Sequence, residues 1–317
     1  MANAFNDIVN LATVIGTTFS GDTIKPLRPK YVFFALAQER VWNLASTPTR
    51  GDAVTFPILS ALSSNTAGFT PTTTTISGSQ KLVYTRKSIT LALYGDHAVY
   101  DMLQTRAETF TDDMSNLVYS MQDQAMNSIN KVARAVIDLN RFSNSASGTL
   151  SSTYHYYGSS GTVSTMGALK AKDIRNIVAD FKIANVMPFP DGFFYAVISP
   201  AQKTQLRADS DNASWTTSSI YNANGDSLKI NGEIGVFEGV RFIESSEVPT
   251  LTNTIRGFFL GAEGVGKAVG NDLRIATNPT MAGPHANNLV IYWDALIGYG
   301  VLRRDAVKIV STKNAKR

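Results

Sequence analysis

From Arg106 to Arg141 the chain contains neither glycine nor proline, and this stretch restricts the fold more than any other feature. Phe110, Met114, Leu117, Met121, Ala125, Ile129, Val132 and Val136 recur at three- and four-residue steps. That spacing makes one apolar helix face. Asp112 and Asp113 stand near its start, and Arg134 and Arg141 lie towards its end, as the helix dipole favours. At 1.5 Å per residue the predicted helix is a rod of about 50 Å. Globular helices average about 11–12 residues. No second segment of comparable length exists to pair with it, which argues against a coiled coil or bundle.

Upstream lies a second constraint. Gly51–Leu59 reads as a strand, with Pro57 placing it at a sheet edge or bulge. Lys81–Tyr94 is rich in β-branched and aromatic residues and reads as another strand, ended by Gly95-Asp96. Between them, Ser60–Gln80 is Thr- and Ser-rich and uncharged, with no evident core of its own to pack on. An isolated hairpin is marginal in water. A loop longer than about 12–15 residues is usually functional or disordered, and both readings stay open here.

The remaining pattern is mixed. Met1–Lys30 reads as an extended arm. Tyr31–Leu44 predicts a short amphipathic helix on Phe33, Phe34, Ala37, Val41 and Leu44, stopped by Pro48. Ser143–Thr165 is a Ser/Gly/Tyr-rich boundary or surface loop. A compact α/β region follows, with helices over 172–184 and from Ser199-Pro200 to about 208, a polar loop from Asp209 to Gly225, and strands over 193–198, 240–244 and 255–260. Further strands are expected at 273–277, 288–302 and 306–310, returning to pack on the long helix. No internal repeat is present.

Hydrophobic residues make up 44% of the 317 residues and charged residues 17%, below the roughly 25% charged content of soluble domains. Such a surface suits a protein covered by other protein chains. The net charge is +4, with one modest basic cluster: Arg303, Arg304, Lys308, Lys313, Lys316 and Arg317. The absence of cysteine excludes disulfides, zinc–thiolate sites and cysteine nucleophiles. No stretch approaches the ~20 apolar residues of a membrane span, and the start of the chain lacks secretory-signal character. A soluble protein made in a cytoplasm is expected, with no membrane partner.

The search for chemistry returns little. Gly261-Ala-Glu-Gly-Val-Gly266-Lys267-Ala268 has P-loop spacing up to the lysine, but Ala268 stands where Ser or Thr must ligate magnesium. A nucleotide-binding enzyme using Gly261 to Lys267 is therefore a minor alternative. His97, His155 and His285 lie in separate segments without metal-binding spacing. Asp96, His97 and Asp101 are neighbours in sequence, but no nucleophile elbow accompanies them. No catalytic, cofactor-binding or metal-binding residue is assigned, and no cofactor is expected.

The order of parts carries more information than any motif. Three segments matter most: Gly51–Leu59, the run Lys229–Pro249, and Trp293–Val310 with its spaced glycines. With the long helix between them, the chain resembles a tailed-bacteriophage major capsid protein of the Hong Kong 97 type, over nearly its whole length. That resemblance implies an α+β fold with a long spine helix, an extended β-hairpin loop, and peripheral and axial domains. It implies an N-terminal arm with a short helix over 1–50 and the extended loop over 51–95. The peripheral domain would take 96–142 and 272–317, and the axial domain 143–271.

The function implied is that of an icosahedral head shell enclosing double-stranded DNA, with no enzymatic activity. The alternative with the same fold is an encapsulin-like compartment shell. Partners implied are other copies in hexamers and pentamers, packaged DNA held weakly on the inner face, and candidate scaffolding, portal and decoration proteins. The location implied is the virion capsid, assembled in the host bacterial cytoplasm. The candidate subunit-interface residues are Leu62, Phe69, Ile76, Tyr84 and Arg86. Lys81 and Lys87 stand beside the loop, but no partner asparagine or acid can be placed, so no covalent crosslink is expected.

Overall fold

A computed structural model describes residues 31–41, 53–60, 62, 81–101, 113–143, 149–160, 166–209, 233–251, 253–278 and 288–314. Helix α1 spans Asp113–Asp138 and continues into a 3-10 turn, Leu139–Arg141. Its described length is about 39 Å at 1.5 Å per residue. The part of the predicted helix before Asp113 lies outside the described residues. The fully committed stripe is Met121, Ala125, Ile129, Ala133 and Ile137, all buried. Val132 and Val136 flank it and are only partly buried.

Among the described residues, twelve strands form three sheets. They are β1 (Gln38–Val41), β2 (Ala53–Leu59), β3 (Tyr84–Thr90), β4 (Ala92–Asp101), β5 (His155–Tyr157), β6 (Phe194–Ile198), β7 (Glu233–Phe237), β8 (Val240–Glu244), β9 (Thr254–Leu260), β10 (Val265–Asn278), β11 (Asn288–Val301) and β12 (Val307–Lys313). A four-stranded sheet has the order β1-β10-β11-β4, and a six-stranded sheet has the order β5-β12-β9-β6-β8-β7. β2 and β3 make a separate two-stranded hairpin.

Helix α1 joins the two large sheets. Its first half packs Met121 and Ala125 on Ile291 and Trp293 of the four-stranded sheet. Its second half puts Ile129, Ala133 and Ile137 into a core shared with Phe258 and Leu260 of β9, Ile297 of β11 and Val307 of β12. The other face of the six-stranded sheet is covered by α2 (Ala171–Ile183) and α3 (Pro200–Arg207). Ile174, Ile177, Val178 and Phe181 pack there on Phe194, Phe242 and Phe259. Phe258 and Phe259 thus serve opposite faces, as the period-two alternation of a strand requires. α3 begins where expected: Ser199 caps it, its hydroxyl accepting from Gln202 N–H at 3.2 Å, with Pro200 in the first turn.

The joint between α1 and the six-stranded sheet is polar at its end. Asp138 accepts from Arg141 and, at 2.8 Å, from Arg256 of β9. His155 is buried there and its Nε2 shares a hydrogen bond with Ser311 Oγ at 2.8 Å. Burial first, then the nearby Arg141 and Arg256 guanidiniums, push the His155 imidazole down to about 4. Arg304 closes the helix end. Its guanidinium donates to Asn140 Oδ1 at 3.0 Å, Asn140 O at 3.2 Å and Ser143 O at 2.8 Å. It also stacks 4.4 Å from the Tyr154 ring centre. Asn140 O is one of the carbonyls that a helix terminus leaves unpaired.

Several expectations are corrected. Tyr31–Leu44 is not an amphipathic helix: a 3-10 turn, Phe33–Leu36, gives way to β1. Phe33 is drawn into the core edge-on to Phe258, with ring centres 5.2 Å apart, and its N–H donates to Asn130 Oδ1 at 2.9 Å. Gln38–Val41 then pairs in parallel with Gly266–Val269, so tertiary pairing overrides local periodicity. Residues 42–44 lie outside the described residues.

The strand after the hairpin does not end at Gly95-Asp96. β4 runs on to Asp101, because glycine lets β11 lie close: a Cβ at Gly95 would sit 2.8 Å from Trp293 O. Ser143–Thr165 is not all loop, since β5 forms the edge of the six-stranded sheet. Of the polar loop, Asp209 is described; it is buried and accepts from Ala171 N–H at 2.9 Å. β10 runs through residues 271 and 272, and β12 lies inside the six-stranded sheet.

Candidate assembly interface

The hairpin begins as a well-anchored structure. Val54, Phe56 and Ile89 on its inner face are buried with Ala268 of β10. Arg40 of β1 tethers it, donating to Thr55 O at 2.9 Å with its guanidinium 5.6 Å from the Phe56 ring centre. Ile89 enters a side-chain-free saddle formed by Gly266, Gly298 and Gly300. A Cβ at Gly266 or Gly300 would come 2.9 or 2.8 Å from Ile89 carbons, and one at Gly298 would collide with Thr90 O. Gly266 and Gly300 are themselves cross-strand partners.

Pro57 sits in this isolated two-stranded hairpin, opposite Arg86. Its missing N–H therefore costs no ladder bond in a central strand.

Away from the saddle the hairpin leaves its core. Antiparallel register places Leu59 opposite Tyr84, Pro57 opposite Arg86 and Thr55 opposite Ser88, all on the face turned away from Val54 and Ile89. Ser60 N–H still donates to Val83 O at 2.9 Å. Leu59 is 50% exposed, Leu62 55%, Leu82 59%, Val83 58% and Tyr84 59%. Single exposed apolar residues are ordinary; a contiguous group is the mark of an interaction surface. Between Ala53 and Gly95 the only charged residues are Lys81, Arg86 and Lys87, so the surface is apolar and basic.

Of the predicted interface residues, Leu62, Tyr84 and Arg86 are described, and all three are exposed. Tyr84 and Arg86 share the outer face. Phe69 and Ile76 lie outside the described residues, as does most of Ser60–Gln80. Leu59, Leu82 and Val83 were not anticipated. Their signal was the run Leu82-Val83-Tyr84, where neighbours on opposite strand faces are all apolar although only one face can meet a core.

The other candidates resolve differently. Gly261–Lys267 is not a phosphate cradle: Val265–Lys267 already belong to β10, no helix follows, and Lys267 Nζ lies 3.0 Å from Glu39 Oε2. His97 is on exposed β4 and His155 is in the joint, so the structure does not bring them together; His285 lies outside the described residues. The basic cluster is partly consumed inside the fold. Arg304 caps α1, Lys308 is buried and donates to Thr153 O at 2.7 Å, and Arg303 pairs with Glu263 at 3.2 Å. Among the described residues no group of three or more His, Asp or Glu side chains is placed to hold a metal ion, and no helix is long and apolar enough to cross a membrane.

No family model matches the chain, and no curated protein does. Solved structures do. The chain is similar to the capsid structure of the cyanophage P-SCSP1u, with 18% identity and a TM-score of 0.68, covering 96% of this chain and 95% of that one. It is similar to the acidic stable capsid structure of Helicobacter pylori bacteriophage KHP30, with 14% identity, a TM-score of 0.69 and coverage of 99% and 98%. It is also similar to the capsid asymmetric unit of cyanophage Pam1, with 14% identity, a TM-score of 0.67 and coverage of 95% and 97%. The chain thus has, over nearly its whole length, the α+β fold of these phage capsid structures.

Proposed function

We propose that this chain is the major capsid protein of a tailed bacteriophage, of the Hong Kong 97 type, and that its copies assemble into the icosahedral head shell around double-stranded DNA. One observation carries the reading within the chain itself. The hairpin is firmly seated at its base yet presents Leu59, Leu82, Val83 and Tyr84 to solvent. A rigidly held apolar surface without a core is completed by a second subunit. Repeated by symmetry, many such modest contacts make a stable closed shell. The work is geometric, and the chain is read as structural rather than catalytic.

In this reading, the four-stranded sheet with α1 is the peripheral unit. The six-stranded sheet with α2, α3 and the returning β12 is the axial unit, facing the symmetry axes of hexamers and pentamers. The hairpin is the extended loop. DNA contact on the inner face is weak and non-specific. Scaffolding, portal and decoration proteins are the further partners, and assembly takes place in the host bacterial cytoplasm. The compartment-shell alternative has no observation in its favour.

The test is electron microscopy of the purified protein. Closed shells are expected, and deletion of residues 62–80 should abolish them while leaving a folded subunit. Normal particles from the deletion variant would overturn the role given to the hairpin.

A further inference from the structure

We propose that the joint between the end of α1 and β5 is an acid-opened latch: protonation of His155 frees β5 and the last turn of α1 from β12 while the body of the six-stranded sheet stays folded. The inference concerns the single subunit and goes beyond the shell reading above.

The joint gathers one carboxylate and two guanidiniums around a buried imidazole. Asp138, on the last turn of α1, accepts from Arg141 and from Arg256 of β9. His155 is 5% exposed. It lies on the α1 side of the sheet, because it stands opposite Ile309, which belongs to the core shared with α1. Its Nε2 meets Ser311 Oγ of β12, and its ring is edge-on to Tyr157 with centres 4.6 Å apart. The neighbouring charges are engaged elsewhere. Lys308 lies on the opposite face of β12, over the rings of Tyr154 and Tyr156. Arg134, one turn back along α1, pairs with Glu247 at 3.3 Å.

Two atoms of the joint are buried without a hydrogen-bond partner in the chain, His155 Nδ1 and Asp138 Oδ1. A proton on His155 makes both ring nitrogens donors. The closed joint then holds three cations around one carboxylate, and a buried N–H with no acceptor in place. Opening relieves both, because water reaches the imidazolium and the guanidiniums move apart.

The opening is local. β5 is three residues long and is the last strand of its sheet. It is tied to the helix end through Ser151, whose N–H donates to Arg141 O at 2.7 Å. On the other face of the sheet, α2 packs on Phe194, Phe242 and Phe259 through Ile174, Ile177, Val178 and Phe181, an apolar contact that protons do not touch. Short, thinly packed edges are where a fold opens first.

The test is hydrogen exchange of the isolated full-length subunit at pH 7 and pH 5, with each amide corrected for its intrinsic rate. The imidazole titrates at about 4 in the closed joint and at about 6.5 in an open one, so the opening equilibrium rises about twentyfold between these pH values. Protection of Ser151 and Ile309, whose N–H groups donate to Arg141 O and Tyr154 O, should fall by that factor. These amides should exchange faster than those of Phe194–Ile198 at both pH values. Low urea should leave them unchanged, because a local opening exposes little surface. His155→Gln takes no proton, and its joint amides should not respond to pH. Joint amides that share the protection and urea slope of β6, or protection that is equal at the two pH values, overturn the latch in the unmodified chain. A fall that persists in His155→Gln overturns the role of the imidazole. Each of these outcomes leaves the shell reading intact.

Discussion

Ile89 rests directly on Gly300: a Cβ at that glycine would sit 2.8 Å from Ile89 Cγ1. With Gly266 across the strand pair and Gly298 beneath Thr90, this contact sets how closely the hairpin approaches the four-stranded sheet. Gly298→Ala forces a backbone collision and should destabilise the subunit by about 1–3 kcal/mol, the usual cost of overpacking. Ile89→Ala empties the same seat and should cost about 2–5 kcal/mol. Thermal unfolding of the isolated subunit measures both. Wild-type stability in either variant would show that the hairpin base is not seated there.

Those glycines also mark what the sequence concealed. The long helix, β8 and α3 were legible because their signals are local: a 3.6-residue period, a run of β-branched residues, a Ser-Pro start. β1 was not, because Glu39 becomes a strand residue only when Lys267 arrives beside it. β5 hid among serines and glycines, where nothing local speaks for a strand. Gly95 looked like a stop and is a site of close approach. The exposed hairpin face was half legible. Tyr84 and Arg86 stand in the sequence as interface candidates, whereas Leu59 reads as an ordinary strand residue, and only its register with Tyr84 places both outside the core.

Exposed hairpin residues should separate folding from assembly. Tyr84→Asp and Leu59→Glu remove no buried contact, so subunit stability should stay within about 0.5 kcal/mol of wild type. Shell formation should fall sharply, because a charge is then carried into an apolar contact. Paired unfolding and light-scattering measurements check this. A variant that assembles normally removes its residue from the interface.

His155 makes stability depend on acidity. Its folded-state pKa is lowered to about 4 by burial and by Arg141 and Arg256, against about 6.5 in an unfolded chain. Between these values the unfolded chain binds the proton and the folded chain does not. Stability therefore falls as the pH drops from about 6.5 to 4, by at most about 3 kcal/mol, and is unaffected by this group above that window. His155→Gln should flatten the slope in denaturant titrations at stepped pH. An unchanged slope would assign the acid sensitivity to other groups.

Arg304 holds the end of α1 through a planar fork that lysine cannot copy. Arg304→Lys should lose much of the contact to Asn140 and Ser143, destabilising by about 1.5–3 kcal/mol. Hydrogen exchange should quicken in the last turn of α1 before it does in Met121–Ile129. Equal protection along the helix would overturn the capping role.

The placement of β12 between β5 and β9 has a consequence for the timing of synthesis. The six-stranded sheet cannot close, nor the shared core around Val307 and Ile309 fill, until residues 307–313 have left the ribosome. A nascent chain displays its hairpin long before it owns a finished body to carry it. Polysomes, where many partial chains crowd together, thus hold subunits whose six-stranded sheet stays open until β12 emerges.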